Sequence, residues 1–209
     1  FSDTSLWELV SLSKVGSPTT AQILNSALTA SGALTLDAIS HQTINARVKS
    51  GSVALSGGQV GVALSGAGSS AENRIAAQTS ATIEGDKDNR GISSGSLTIS
   101  AENRSAIEAD VQSSAVAASV GVVGVGLAVG ISLAQNRIDA DVLASITDVD
   151  AGVSSGAISI RAKESATIRA SSAAAAVAIA AGAVGVAVSG GGGDAVNVIS
   201  GSAKATITN

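Results

Sequence analysis

The sequence predicts an all-β chain that winds into a repetitive parallel β-solenoid. Two observations carry this prediction: segments recur at offsets of 63 and 61 residues, and apolar residues alternate with small or polar ones inside each repeat. A fixed period of this size is typical of stacked copies of one structural unit. Alternation of period 2 is typical of strands with one face inward. A β-sandwich or flat sheet of stacked long strands is the alternative fold.

The repeat is clearest in the pattern Ser-Gly-x-Leu/Ile-x-Leu/Ile-x-Ala, which begins at Ser31, Ser94 and Ser155. The two-residue difference between the offsets falls in the polar stretch 84–90, where a surface turn absorbs it. With roughly 20 residues per coil, each repeat would supply about three coils, and the rod would be about 40–50 Å long. The solenoid is predicted over residues 21–209, with repeats at about 31–93, 94–154 and 155–209.

Residues 1–20 are predicted to lie outside the repeat as a cap, a linker or an inter-subunit clip. Ser5-Leu6-Trp7-Glu8 has the spacing of a helix capping box, and Gly16 and Pro18 would end a short helix. The segment is therefore expected to be helical or extended. Because a stack needs its apolar end covered, Trp7 is the candidate clip residue.

Three uncharged windows, residues 50–71, 111–136 and 170–193, fall at the same place in each repeat. Each is long enough for a transmembrane helix. However, they are rich in glycine and β-branched residues, and the first is too polar to span, so the sequence disfavours membrane insertion. As strands they are apolar or small on both faces, which is typical of strands buried on two sides. One face would meet the solenoid core, and the other a second layer or another molecule.

The larger aliphatic residues of these windows form the predicted assembly surface. Small residues beside them would let two sheets approach closely, as in dry zipper interfaces. Gly57-Gly58, Gly121 and Gly182 are aligned candidates for the turns that divide the windows. The predicted packing residues are Val60, Val62, Leu64, Val123, Val125, Leu127, Val184, Val186 and Val188.

A recurring asparagine ends each uncharged window, at Asn73, Asn136 and Asn197. The inward parity is expected to change just after it. Asparagine tolerates the left-handed backbone region and bonds its own backbone, so these three residues are predicted to lie at corners of the solenoid.

Four segments carry a shared repetitive pattern: Ser165-Ala166-Thr167-Ile168-Arg169-Ala170, Ala183-Val184-Gly185-Val186-Ala187-Val188, Asn136-Arg137-Ile138 and Lys204-Ala205-Thr206-Ile207-Thr208. They resemble the repeats of giant bacterial surface and secreted proteins of the filamentous haemagglutinin-like adhesin type. The resemblance covers about residues 31–209 and implies a β-rich fibre that is extracellular or displayed at the cell surface. It is repetitive and compositional, so it specifies architecture better than function.

Composition argues against most kinds of chemical site. The net charge of −4 comes without a basic patch, so a nucleic-acid partner is not expected. The one histidine, His41, is replaced by Arg104 and Ser165 in the other repeats, so no catalytic cluster is predicted and the chain is not expected to be an enzyme. Phe1 and Trp7, the only aromatic residues, give poor support for a small-molecule or sugar site.

No cofactor is predicted, and calcium is the one metal that the sequence leaves open. The acidic pairs at 86–88, 139–141 and 148–150 could supply oxygen ligands, but calcium wants six to eight of them from converging groups. The Gly-Gly-x-Gly-x-Asp nonapeptide of calcium-binding β-rolls is not repeated. Solvated turn and edge charge is the simpler interpretation of these pairs.

The sequence therefore predicts a structural module of an extracellular fibre, sheath or adhesin stalk. Its partners would be copies of itself or adjacent repeats of a longer chain, since the sequence starts without methionine and ends within the repeat pattern. Assembly would rest on β-sheet stacking and apolar lateral packing. The alternatives are an adhesin passenger segment that binds a host or cell-surface ligand, and a membrane-inserted protein.

Overall fold

The computed structural model describes residues 8–86 and 90–208, and every regular element in these ranges is a β-strand. None of the described residues forms a helix long and apolar enough to cross a membrane. The strands are β1 (Glu8–Leu24), β2 (Leu28–Thr29), β3 (Ala33–Ser40), β4 (Thr43–Glu84), β5 (Ile92–Ser94), β6 (Ser96–Asn103), β7 (Ala106–Thr147), β8 (Val153–Ser155), β9 (Ile158–Glu164), β10 (Thr167–Ala181) and β11 (Val184–Thr208).

The chain is a parallel β-solenoid, as the sequence predicts. All pairing is parallel: β2-β5-β8 and β3-β6-β9 form two sheets, and β1-β4-β7 form a third in which β10 and β11 both pair with β7. Equivalent residues of successive repeats are neighbours in the ladder, as Ile44, Ile107 and Ile168 show. The repeat is therefore also the structural unit of the stack.

Each repeat makes one coil, so the expectation of three coils per repeat is wrong. Strands β4 and β7 are each 42 residues long, and one such strand with two short ones completes the circuit. Because coils stack about 4.8 Å apart, three coils are about 14 Å high rather than 40–50 Å. The coils are long and flat because a single reversal divides each long strand.

The reversal in β7 lies at Gly121. We call residues 106–120 β7a and residues 122–147 β7b; the corresponding parts of β4 are β4a (43–57) and β4b (59–84), and β10 and β11 take these places in the third coil. Odd-numbered residues are buried in β7a and even-numbered residues in β7b, so the inward parity changes at the turn. The sequence-based expectation placed this change after Asn136, fifteen residues too late.

The two halves of each long strand face each other. The Ser52 and Ser65 hydroxyls, on the two halves of β4, lie 2.6 Å apart, and the Ser132 hydroxyl of β7b lies 2.7 Å from the Ser172 hydroxyl of β10 in the next coil. The two halves face each other through their side chains, and each half forms backbone hydrogen bonds with the neighbouring coils rather than with the other half. Such an arrangement is a β-arch. We call residues 50–71, 111–136 and 170–193 the arch and the remaining described residues the base.

The base holds the large aliphatic side chains of the core. Strand β6 packs against the end of β7b, and Leu97, Ile99 and Ile146 are at most 2% exposed there. A second cluster around Ile107 and Ile138 continues this core toward the arch. Burial of such side chains contributes roughly 1.5–3 kcal/mol each, so the base carries most of the hydrophobic stabilisation.

Strand β1 crosses the predicted boundary between residues 20 and 21. It pairs with Gly68–Glu84 of β4 as part of the main sheet, so the helical alternative is wrong for residues 8–20, and these residues belong to the stack. Trp7, the candidate clip, lies outside the described residues. Ala21-Gln22-Ile23, aligned with Ala81-Thr82-Ile83, was the sequence signal for this strand. Pro18 is tolerated because β1 is an edge strand.

Candidate assembly surface

The interior of the arch is built from small side chains. Ala115, Ala117 and Ala128 are at most 1% exposed and pack together between β7a and β7b. A Cβ at Gly126 of β7b would lie 3.1 Å from the Ile179 carbonyl oxygen of β10, so these two strands approach more closely than larger side chains would allow. The arch interior therefore has no room for large aliphatic residues.

The larger aliphatic residues of the arch point outward. The nine predicted packing residues lie on the outer face of β4b, β7b and β11, and they are between 36% and 67% exposed. They form three ladders across the coils: Val60, Val123 and Val184; Val62, Val125 and Val186; Leu64, Leu127 and Val188. The structure thus brings all nine together in one contiguous apolar patch beside the turn.

Three further residues continue this surface and were not among the predicted set. Val129, Ile131 and Leu133 follow on the same face of β7b and are 41%, 51% and 40% exposed. The sequence shows that these three residues share the odd-numbered positions of Val123. It did not show that the turn at Gly121 places the odd-numbered residues of β7b on the outer face.

The opposite outer face of the arch is also apolar near the turn. Val53, Leu55, Val177 and Ile179 lie on β4a and β10 and are between 49% and 78% exposed. Exposed aliphatic residues therefore occur on both sides of the arch. A soluble surface seldom carries so much contiguous apolar area unless it contacts a partner.

The principal patch has the size of an interaction site. From Val123 to Leu133 it extends about 33 Å along the strands, and three strands give a width of about 14 Å, so its footprint is about 450 Å². The largest apolar patch on a typical monomer is about 300–600 Å² and is often functional. We call this surface, from the Val60–Val123–Val184 row to Leu133, the arch face.

Charged groups are confined to the base. Hydrogen bonds from Arg104 and Lys163 lower the pKa of Glu102 to about 2. The Arg137 guanidinium, with a smaller effect of Arg74, lowers the pKa of Asp139. These ion pairs link residues within and between coils on the outside of the base. The arch, in contrast, contains no charged residue, and Asp194, the ladder partner of Leu133, lies where the arch face meets the base.

The three recurring asparagines form a ladder inside the stack and do not lie at corners. Asn73 donates through Nδ2 to Oδ1 of Asn136, and Asn136 donates in the same way to Asn197, both at 2.8 Å. They lie within β4, β7 and β11, and the first two are at most 3% exposed. Because the three residues stack at equivalent positions, the amide nitrogens of Asn73 and Asn136 each find an acceptor in the next coil.

The true corners follow the long strands. Asn25 and Asp148 adopt positive φ angles of 44° and 52°, and Gly85 takes the equivalent position with 69°. These residues come directly after β1, β4 and β7. A left-handed residue thus follows each of these three strands and takes the corner role that was predicted for Asn73, Asn136 and Asn197.

A second polar position lies inside the base, where β6 joins β7. The Asn103 amide donates to both carboxylate oxygens of Glu164 at 3.0 Å, and the Ser105 hydroxyl donates to Asn103 Oδ1 at 2.7 Å. Burial raises the pKa of the Glu164 carboxyl, and the Asn103 hydrogen bond opposes that rise. Asn103 is fully buried, so its amide fixes the register of the second and third coils.

The remaining polar candidates serve turns and surfaces. His41 is an exposed residue between β3 and β4. Asp86 accepts hydrogen bonds from the backbone nitrogens of Gly91 and Ala151, and Asp141 accepts one from Ser202. Within residues 8–86 and 90–208, no group of three or more His, Cys, Asp or Glu side chains is placed to hold a metal ion. Asp88 lies outside the described residues.

Comparisons with protein families, with curated proteins and with solved structures find no match to the chain.

Proposed function

We propose that this chain is a structural module of an extracellular fibre, sheath or adhesin stalk, and that it assembles through lateral packing of the arch face. One observation carries the proposal: the arch keeps its small residues inside and its large aliphatic residues outside. In the base, by contrast, the large aliphatic side chains are buried. Because burying apolar area stabilises contacts at about 25 cal/mol per Å², the exposed ladders favour a second apolar surface.

The solenoid itself supports a mechanical role. Backbone hydrogen bonds run along the stack between every pair of coils, and in-register ladders such as Asn73–Asn136–Asn197 fix the register. Each coil has the same outer profile near the turn, so adding coils lengthens the apolar ladders. Location outside the cell rests on the resemblance to large bacterial surface proteins and is part of the proposal.

The test is the mass of the chain in solution across a concentration series. We expect the wild-type mass to rise with concentration and the Val125→Asp variant to remain monomeric, because the substitution places a charge on the central strand of the arch face. Val125 points outward, so the denaturation midpoint of the variant should match that of the wild type.

Thr98→Asp is the matched control, since it adds the same charge to the outer side of β6 in the base. It should associate like the wild type. Equal association of wild type and Val125→Asp would contradict the proposal. Flotation of a monomeric wild-type chain with phosphatidylcholine vesicles would also contradict it and favour a membrane partner. Saturable binding of a soluble ligand without self-association would favour the adhesin passenger.

A further inference from the structure

We infer that the arch face recognises a second copy of this chain by interlocking a ridge with a groove. The inference rests on the proposed lateral assembly and specifies its geometry. The ridge is the row Val129, Ile131 and Leu133 on the outer side of the central strand β7b. The grooves are the glycine rows on the two flanking strands.

The register places the glycines directly beside the ridge. Gly66 and Gly190 are the ladder partners of Val129, and Gly68 and Gly192 are the partners of Ile131. Ile131 is 51% exposed because neither neighbour has a side chain to cover it. Val129 and Ile131 thus stand between two pairs of glycines, whereas Leu133 at the end of the ridge lies beside Ser70 and Asp194.

A ridge and a groove one strand apart are self-complementary. Strands are about 4.8 Å apart, so a two-fold axis parallel to the strands and halfway between β7b and β11 exchanges the two rows. The Ile131 side chain of each copy then lies over Gly192 of the other. The β4b side offers the equivalent solution through Gly68. Such an isologous contact needs only the surface that the chain already has.

The absence of charge beside Val129 and Ile131 favours this occupant, and the small area limits the strength of the contact. No charged residue lies between positions 111 and 136, so packing Val129 and Ile131 against the glycines desolvates no charge on β7b; Asp194, the ladder partner of Leu133, is the charge at the end of the ridge. Under this axis only β7b and β11 of each copy overlap, so the shared footprint is about 300 Å², less than half of the ~800 Å² per partner in a standard stable interface. We therefore expect three coils to form a weak, concentration-dependent dimer.

The test fills both grooves with Gly68→Val and Gly192→Val together. A Cβ at either position meets nothing within 4 Å, and valine suits a strand, so the fold should be preserved. The interlock predicts a dimer dissociation constant at least about tenfold higher, measured by sedimentation equilibrium. A merely sticky apolar surface predicts tighter association, because the variant adds apolar area. Unchanged or tighter association would overturn the inference.

Gly32→Val is the matched control, since that glycine also borders open space but lies between β2 and β3, away from the arch. It should leave the dissociation constant unchanged. Ile131→Ala removes the ridge, weakens the homodimer and needs no accommodation by the fold. Mixing Ile131→Ala with the groove-filled chain should restore a mixed dimer. The alanine at position 131 fits against the filled groove, and the intact Ile131 of the groove-filled chain fits the open groove of its partner. Failure of that rescue would overturn the interlock.

If Val125→Asp abolishes association and the groove-filled chain still dimerises, lateral assembly stands and the interlock fails. If the wild-type chain does not associate at any concentration, both proposals fail.

Discussion

The base and the arch share one backbone ladder, but they bury opposite kinds of side chain. In the base, Leu97 and Ile99 are at most 1% exposed, and the ion pairs lie outside. In the arch, alanine, serine and glycine fill the interior, while Val125 and Ile131 are exposed. The difference teaches that period-2 alternation identifies a strand without identifying its inner face. In this chain the base provides stability and the arch provides a surface.

The largest expected effect separates the two regions by one matched pair of substitutions. Ile99→Ala should lower the free energy of unfolding by about 2–5 kcal/mol, because it leaves a cavity in the base core. Ile131→Ala should change the stability of the monomer by less than about 0.5 kcal/mol, because its side chain is half exposed. Urea denaturation at a concentration where the chain is monomeric measures both. Similar losses in the two variants would remove the distinction between base and arch.

The turn of the arch is the next most sensitive position. A Cβ at Gly121 would collide with the Gly58 carbonyl oxygen of the preceding coil, so Gly121→Ala should cost more than about 2 kcal/mol. Gly190→Ala is the control, because a Cβ there meets open space and should be neutral or slightly stabilising. Denaturation midpoints compare them. Tolerance of alanine at Gly121 would show that the coils do not approach so closely at the turn.

The asparagine ladder lies where the arch meets the base. Asn136→Ala should destabilise the chain by about 1–3 kcal/mol, because it leaves the buried Asn73 amide without its acceptor. Asn197→Ala should cost less, since Asn197 is exposed and only accepts from Asn136. Hydrogen exchange of the β4b and β7b amides would locate the loss. Equal costs at both positions would argue against a continuous ladder.

The smallest effect concerns the ion pairs of the base. In the folded chain the pKa of Glu102 is lowered from 4.5 to about 2, so its contribution to stability is present above pH 4.5 and is lost as the pH falls toward 2. Glu102→Gln should therefore reduce the denaturation midpoint slightly at pH 7 and have little effect at pH 2. High salt should diminish the difference at pH 7. A difference that grows on acidification would contradict the assigned ion pairs.

Much of the fold could be predicted from the sequence because equivalent residues of successive repeats become neighbours when the repeats stack. The offsets of 63 and 61 residues are the same offsets that the parallel ladders show. The number of coils could not be predicted, since it depends on where a 42-residue strand reverses. Gly121 stood out as a possible turn, but a bend and a full reversal have the same sequence signature.

Part of the candidate surface could also be predicted from the sequence. Parity grouped Val123, Val125 and Leu127 on one face, and missing charge marked that face as unusual. The glycine grooves beside Ile131 depend on which residues become neighbours in the ladder, so they emerge only from the register. The corner assignment failed because a buried asparagine that stacks on its copies resembles one that turns the chain.

Contact between the arch faces of two copies is the core of the proposed assembly, and an intermolecular distance measures that contact most directly. The chain has no cysteine, so Val123→Cys and Thr98→Cys each provide a single thiol for a spin label. Face-to-face sheets are about 10 Å apart. We predict strong intermolecular dipolar coupling between labels at position 123 under associating conditions, and none between labels at position 98. Absence of coupling at position 123, or equal coupling at both positions, would contradict the account.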